Sequence, residues 1–315
     1  MVQENDTHIH EFTLLGFCTT TELQALLFVI FLAVYLFTVT ENIIIITLII
    51  RNRQLHKPMY FFLGHLAFLG AWYTSVTVPK LLVSLLAENR NISFAGCMAQ
   101  LYFFIALVCT ECVFLAVMAY DRRVAVCRPL HYAAIMTRRA CVQLAAGSWL
   151  LGFLLSVLKV CFISRLSFCG PSVINHFYRD ISPLLNLSCS KRRVAEVVDF
   201  VSALLILLIP LSVIVISYIC IIHTVLLIPK AQNRKKAFST CTSHLAVVII
   251  YFSATLFMYA RPRSINSSDL NKLVSIIYTV ITPMLNPFIY CLRNQEVKDT
   301  LLKVLCSRAA LSRVS

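Results

Sequence analysis

Hydrophobic residues in this chain form long, unbroken runs separated by short polar stretches. Seven runs reach the roughly 20 residues that a helix needs to cross a hydrocarbon core of about 30 Å. None shows the strict alternation of a barrel strand, so the pattern predicts helices. The sequence therefore predicts an all-α membrane protein, a bundle of seven transmembrane helices. The predicted spans are residues 24–50, 58–86, 97–120, 141–163, 200–228, 237–260 and 273–292.

Composition supports a bilayer as the solvent of this chain. Of its 315 residues, 59% are hydrophobic and 13% are charged, and the mean hydropathy is +0.81. A soluble domain cannot expose so much apolar surface without aggregating. We therefore expect one membrane domain over residues 24–292, with an N-terminal tail over 1–23 and a C-terminal tail over 293–315.

The distribution of lysine and arginine predicts the orientation. The first basic residue is Arg51, so the N-terminus is predicted to lie outside the cell. The inner segments are then 51–57, 121–140, 229–236 and 293–315, and they hold 17 of the 28 basic residues with only three acids. This balance accounts for the formal net charge of +14 and favours an anionic inner leaflet and a cytosolic partner. Nucleic acid is not a predicted partner, because the charge is divided among short loops.

Both tails carry specific expectations. The polar N-terminus lacks the pattern of a cleavable signal peptide. Of four glycosylation sequons on the predicted outer face, Asn5-Asp6-Thr7 is the one expected to be used, because it lies on a free tail. After the seventh span, apolar residues from Val297 to Leu305 can share one face, which predicts a short amphipathic helix on the inner membrane surface. The outer segment 164–199 contains two prolines and two cysteines, which suggest a folded cap.

The sequence contains no pattern that indicates catalysis. We find no nucleophile elbow, phosphate-binding loop or paired carboxylates, and no His or Cys spacing typical of a metal site. No enzyme activity, catalytic residue, metal or cofactor is therefore predicted.

Charged residues inside the spans each need a reason, because burying charge in a membrane is costly. Lys80 and Lys159 lie within two turns of an outer end, so both are expected to extend to the interface. Glu111 lies near the middle of the third span. It is either a protonated group that donates one hydrogen bond or an ion or proton site that differs between two states.

Two segments near the inner face have the composition of a switch. "MAYDRRVAVC", residues 118–127, places Asp121 beside Arg122 and Arg123 at a helix end. The acid and the arginine either alternate between two pairings or form an ordinary solvated charge cluster. "TPMLNPFIY", residues 282–290, contains two prolines that weaken a helix, which gives either a fixed kink or a segment that rearranges.

Four long motifs in order resemble the odorant receptors among rhodopsin-like G-protein-coupled receptors. They are "LHKPMYFFL" (55–63), "MAYDRRVAVCRPLHY" (118–132), "KAFSTCTSHLAVV" (236–248) and "PMLNPFIYCLRN" (283–294). The resemblance extends from residue 11 to residue 298.

This resemblance implies a function. A small hydrophobic or volatile molecule would bind in the outer half of the bundle, and a stimulatory heterotrimeric G protein of the olfactory type would be activated inside, raising cyclic AMP. The protein would lie in the plasma membrane. Coupling and switching residues would be Asp121, Arg122, Arg123, His244, Asn286, Pro287 and Tyr290.

Helical spacing together with the resemblance predicts the ligand site. One face of the third helix would point inward and meet residues at matching depth on the sixth and seventh helices, giving the apolar lining of a small-molecule site. The alternative for each residue is ordinary packing between helices. The predicted ligand-binding residues are Phe104, Ile105, Val108, Cys109, Cys112, Phe252, Thr255, Tyr259, Ile276 and Thr279.

The chain departs from the pattern of the resembled family at five places. Arg123 replaces a tyrosine, His65 replaces an asparagine, and Tyr251-Phe252 inverts a Phe-Tyr pair. Gly70 replaces an acid, which leaves an ion site at Glu111 doubtful. Arg179 replaces a cysteine, so that Cys97 would form its disulfide with Cys189 or Cys169.

The sequence does not favour a transport function. A transporter or channel would show inverted repeats or charges lining several helices, and the sequence has neither. The open alternatives are a receptor of this kind that folds or signals poorly because of its departures, and a non-odorant receptor of the same fold.

Overall fold

The computed structural model describes residues 11–14, 20–86, 91–166, 173–174, 192–229, 231–259, 282–285 and 297–303. Most of these residues belong to seven helices, labelled α1 to α7 in chain order. They are α1 (Thr21–Arg51), α2 (Pro58–Leu86), α3 (Phe94–Cys127), the short α4 (Tyr132–Ile135), α5 (Arg138–Ser164), α6 (Arg192–Leu226) and α7 (Ala231–Tyr259). Two 3-10 turns, Arg53–Leu55 and Pro129–His131, lie in the loops that are predicted to be on the inner side.

The helices follow the hydrophobic runs. Five of those described, α1, α2, α3, α5 and α6, are long and apolar enough to cross a membrane, and α7 contains a shorter apolar stretch, His244–Phe257. The helical fold class is thus confirmed. Of the predicted seventh span, residues 282–285 are helical and the rest lies outside the described residues. The division into tails and receptor domain stays a prediction.

Hydroxyl side chains define two helix starts. Ser93 accepts a hydrogen bond from the Gly96 amide at 3.2 Å at the start of α3. Thr137 does the same for the Ala140 amide at 3.2 Å before α5. Each satisfies one of the amide groups that a first helical turn leaves unpaired.

Helix α3 lies at the centre of the bundle. In the most apolar 18-residue stretch of α3, 72% of the residues are buried inside the protein, whereas in that of α1 only 11% are buried. It packs against α2, α5, α6 and α7. Any ligand or switch that acts through α3 therefore reaches most of the other helices.

Close packing of α3 on α5 depends on a glycine. A Cβ atom at Gly152 would lie 2.7 Å from the Ala106 carbonyl oxygen and 2.9 Å from the Thr110 amide nitrogen. Both obstacles are backbone atoms, so a side chain at this position would force the two helices apart. Small residues at helix contacts are how membrane helices approach closely.

His65, one of the five departures, joins α2 to α5. Trp149 donates a hydrogen bond from its ring nitrogen to His65 Nδ1 at 3.3 Å. The His65 ring also stacks on Phe114 of α3, with 5.5 Å between ring centroids. The replacement of asparagine by histidine is therefore accommodated by aromatic neighbours.

A three-stranded sheet, which the sequence did not predict, ties the N-terminal segment to two loops. Strand β1 (Glu11–Leu14) pairs with β2 (Asn91–Ser93) in the antiparallel sense, with Phe12 opposite Ile92. It pairs with β3 (Val173–Ile174) in the parallel sense. The segment before the first span is thus anchored in part, and β3 gives the predicted cap some regular structure.

The expected helix after the seventh span is present over residues 297–303. Val297 is 2% exposed and Thr300 is 7% exposed, whereas Lys298 and Lys303 are exposed. Leu301 is half-buried, but Leu302, predicted for the apolar face, is 49% exposed, so the helix follows the predicted amphipathic pattern only in part.

Candidate functional site

The predicted ligand face of α3 is buried. Phe104, Ile105, Cys109 and Cys112 are all buried, and Val108 is half-buried. The ring of Phe104 packs on Tyr73 of α2, with 5.5 Å between centroids. This face therefore points into the bundle and not toward lipid.

Tyr251 of α7 is bonded to this face. Its hydroxyl donates to the Val108 carbonyl oxygen at 2.9 Å and accepts from the Cys112 thiol at 3.3 Å. Sequence reasoning noted the inverted Tyr251-Phe252 pair but did not place Tyr251 in the site. The sequence does contain an indication of this role, because a tyrosine buried within a span needs a hydrogen-bond partner for its hydroxyl.

Two other predicted ligand residues lie beside Tyr251. Phe252 is buried and meets the Tyr251 ring edge-on at 5.5 Å. Thr255 is half-buried, and its hydroxyl donates to the Tyr251 carbonyl oxygen at 2.8 Å. The hydroxyl is thus satisfied within its own helix. The side chain of Tyr259, together with Ile276 and Thr279, lies outside the described residues.

A buried ion pair lies next to the predicted ligand face. Lys159 of α5 donates to Asp199 of α6 at 2.9 Å, and the lysine is only 3% exposed. The charges of both residues act on the Cys109 thiol. The expectation that Lys159 extends to the outer interface is therefore wrong, because an acid 40 residues further along the chain holds it inside the bundle.

Glu111 is buried on α3, at 6% exposure. The acid of the related pattern is missing at Gly70, where an added Cβ would lie 3.2 Å from Asn42 Oδ1. That oxygen is buried and accepts no hydrogen bond from any described residue, while the amide nitrogen of Asn42 donates to Thr38. The place of the missing acid thus adjoins an acceptor on α1 that has no partner among the described residues.

At the inner end of α3, Asp121 is held by a residue that sequence reasoning missed. The Tyr132 hydroxyl of α4 donates to the Asp121 carboxylate at 2.8 Å, and Asp121 is only 2% exposed. Burial and the nearby carboxylate raise the pKa of Tyr132, which keeps its hydroxyl protonated as a donor. Asp121 itself is thus shielded from solvent, whereas Arg122 and Arg123 are half-buried.

The two neighbouring arginines have different neighbours. The charge of Arg122 acts on Asp121 and Tyr132 as well as on Tyr218, Cys241 and His244 of α6 and α7. Arg123 instead lines a crevice between the inner ends of α3 and α6. Successive helix residues are about 100° apart around the axis, which accounts for the divergence.

His244 joins three helices at one level. Its Nε2 lies 3.1 Å from the Leu115 carbonyl oxygen of α3, and its Nδ1 lies 2.8 Å from the Tyr218 hydroxyl of α6. A carbonyl only accepts, so Nε2 carries the proton, and the single Tyr218 hydroxyl hydrogen is shared between Nδ1 and the Cys241 carbonyl oxygen. Tyr218 also lies 3.1 Å from the Cys241 carbonyl oxygen. The predicted switch residue His244 is therefore part of a buried bridge.

The remaining predicted residues lie mostly outside the described part of the chain. Asn286, Pro287, Tyr290, Asn5, Cys169, Cys189 and Arg179 belong to this group. Cys97 is fully buried near the outer end of α3, where the predicted disulfide would form. Within the described residues, no group of three or more His, Cys, Asp or Glu side chains could hold a metal ion.

These observations define a multi-pass helical membrane protein with a buried outer face on α3 and a bonded inner end. The family model described as "Olfactory receptor" matches residues 31–308. The chain is 58% identical to olfactory receptor 6B1 of Homo sapiens, over 99% of this chain and all of that one. It is 56% identical to olfactory receptor 6B9 of Mus musculus, over 98% of this chain and 97% of that one. The chain belongs to the olfactory receptor family, which is a family of receptors and not of enzymes.

Proposed function

We propose that this olfactory receptor binds a small hydrophobic odorant in the outer half of the bundle. The site would lie between α3, α7 (which contains the sixth predicted span) and the seventh predicted span. The binding residues would be those predicted from the sequence, with Tyr251 added. In the same proposal, the occupied receptor activates a stimulatory heterotrimeric G protein of the olfactory type and raises cyclic AMP. The receptor would act in the plasma membrane with its N-terminus outside.

One observation carries this proposal, namely that α3 and α7 are hydrogen-bonded at two depths. Tyr251 bonds to Val108 in the outer half, and His244 lies against the Leu115 carbonyl oxygen further in. The two α3 residues are seven positions apart, which is about 10 Å along a helix. An odorant that displaces Tyr251 would therefore change the same helix pair whose inner bonds hold His244 and Tyr218.

The lining supports a hydrophobic ligand. The described candidates supply aromatic, aliphatic and thiol groups, and few free polar groups remain to bind a charged molecule. An apolar pocket of this kind discriminates by shape, and one methylene changes affinity by about 1–3 kcal/mol. Specificity would thus rest on size and branching.

The test is a cyclic AMP assay in cells that display the receptor, using an odorant panel and biosensors for several G-protein classes. Val108→Trp would fill the outer half of the site. Leu154→Trp, on the exposed surface of α5, is the matched control. We expect an active odorant to lose its response in the first variant and keep it in the second, with equal surface display.

Two results would contradict the proposal. A response that survives Val108→Trp at full potency would place the odorant elsewhere. A response carried by a G-protein class other than the stimulatory one would overturn the proposed coupling while leaving the ligand site intact.

A further inference from the structure

A crevice of about 480 Å³ opens between the inner ends of α3 and α6, with α4 at its rim. Its α3 wall follows helical spacing from Tyr120 through Arg123 to Arg128, and its α6 wall includes Ile219 and His223. A hydrogen bond from the Thr224 hydroxyl to the Cys127 sulfur, at 3.2 Å, joins the two walls. The crevice is separate from the odorant site, since it lies at the opposite end of α3.

The lining of the crevice is cationic. Arg123 and Arg128 supply the charge, His223 lies beside them, and the described lining includes no aspartate or glutamate. Within the described residues, none of these three side chains forms a hydrogen bond or an ion pair. Asp121, the acid nearest in sequence, is buried and accepts from Tyr132. The positive charge is therefore available to an anion.

The depth of the crevice matches the boundary between lipid tails and headgroups. Tyr120 and Arg128 are eight positions apart, or about 12 Å along α3, and Arg128 directly follows the last residue of that helix. On the other wall, Ile219 is 61% exposed and continues a row of exposed apolar residues on α6 that includes Ile216. His223 lies one turn closer to the inner end. In a bilayer, one end of the crevice would face acyl chains and the other would face the headgroup layer.

We infer that this crevice binds an anionic lipid of the inner leaflet, with the headgroup phosphate held by Arg123 and Arg128. Phosphate oxygens would accept charge-assisted hydrogen bonds from the two guanidinium groups, and the His223 ring can donate a further one. An acyl chain would lie along Tyr120 and Ile219. Arg123 stands where the resembled family has a tyrosine, so lipid binding would be a role of this departure.

The test is native mass spectrometry on the full-length receptor in detergent. The probes are phosphatidylinositol 4,5-bisphosphate, phosphatidylcholine and soluble inositol 1,4,5-trisphosphate. We expect the anionic lipid to bind well above the other two. Because a basic side chain near a membrane surface changes anionic lipid binding by roughly fivefold, Arg123→Gln should weaken it about fivefold. Arg123→Gln with Arg128→Gln should weaken it about 25-fold.

The matched control is Arg138→Gln with Arg139→Gln. These two arginines are exposed at the start of α5 and do not line the crevice. We expect this pair to change the affinity less than twofold. Equal losses in the two double variants would overturn the inference, since the effect would then come from general surface charge.

A second variant tests the shape of the crevice without removing charge. Ile219→Trp would fill its apolar end and should also weaken lipid binding, whereas Ile216→Trp, one turn away on the exposed surface, should not. If inositol trisphosphate binds as tightly as the lipid, the site takes a free phosphate and the lipid assignment is wrong. Binding of an acidic protein segment at Arg123, without binding of the lipid, would also contradict the lipid assignment.

Discussion

At the scale of single residues, Asp121 depends on one donor from a different element. It is buried at the inner end of α3 and accepts from Tyr132 at 2.8 Å. A buried acceptor that loses its donor costs about 1–3 kcal/mol, and more when it is charged. We therefore expect Tyr132→Phe to release Asp121 and change the cyclic AMP level without odorant by several-fold. The measurement is basal cyclic AMP normalised to surface display.

Tyr120→Phe is the control for this variant. Tyr120 lies one position before Asp121, is 36% exposed, and its hydroxyl has no partner among the described residues. It should leave basal cyclic AMP unchanged. If both variants behave alike, the hydroxyl of Tyr132 does not hold the switch.

The sequence identified Asp121 and His244 but not their partners. Both lie in long motifs with polar residues at helix positions, which single them out. Tyr132 is 11 positions from Asp121, and Tyr218 is 26 positions from His244. Which tyrosine reaches which group depends on how helices pack, and helical periodicity within one segment carries no information on this.

At the scale of helices, the contact between α3 and α5 gives a sharp test of packing. Gly152→Ala would place a Cβ against backbone atoms at Ala106 and Thr110. Overpacking a core typically costs about 1–3 kcal/mol, and backbone neighbours cannot move aside. We expect a lower thermal unfolding midpoint and reduced surface display. Gly147→Ala, on the same helix with nothing within 4 Å, should be neutral.

The buried pair Lys159–Asp199 links α5 to α6. Removing one partner of such a pair leaves a buried charge and costs about 3–5 kcal/mol, whereas replacing both by apolar residues is often neutral. Lys159 is 3% exposed and Asp199 is 19% exposed, so Asp199→Leu, which leaves the buried lysine unpaired, should reduce surface display strongly, and Lys159→Met should reduce it less. The double variant should recover most of it. A double variant as poor as either single one would show that the residues act separately.

The sequence predicted the helices well and their polar cross-links poorly. Long apolar runs specify helices in a bilayer almost regardless of their neighbours, because each backbone group must be bonded within its own segment. The ion pair and the three short strands join segments far apart in the chain, as with β1 and β3. A strand of two to four residues has too little pattern to be detected in a loop.

At the scale of the whole molecule, the fold fixes which segments share a side of the membrane. Strand β1 of the N-terminal segment pairs with β2 and β3, which precede α3 and follow α5. Tyr132 and the crevice lie at the other ends of the same helices. The basic segments cluster with the second group, so the positive-inside rule predicts that the sheet lies outside.

This topology predicts how the receptor is modified and labelled. An epitope at the N-terminus should be detected on intact cells, and one at the C-terminus only after permeabilisation. Glycosidase treatment should shift the receptor on a gel, and Asn5→Gln should abolish the shift. Asn91→Gln should not, because Asn91 is part of β2 and a sequon in a paired strand lacks the open loop that glycosylation favours. A shift that persists in Asn5→Gln and disappears in Asn91→Gln would mean that Asn91 is the glycosylated residue, with the orientation unchanged. An N-terminal epitope that is hidden on intact cells would overturn the orientation itself.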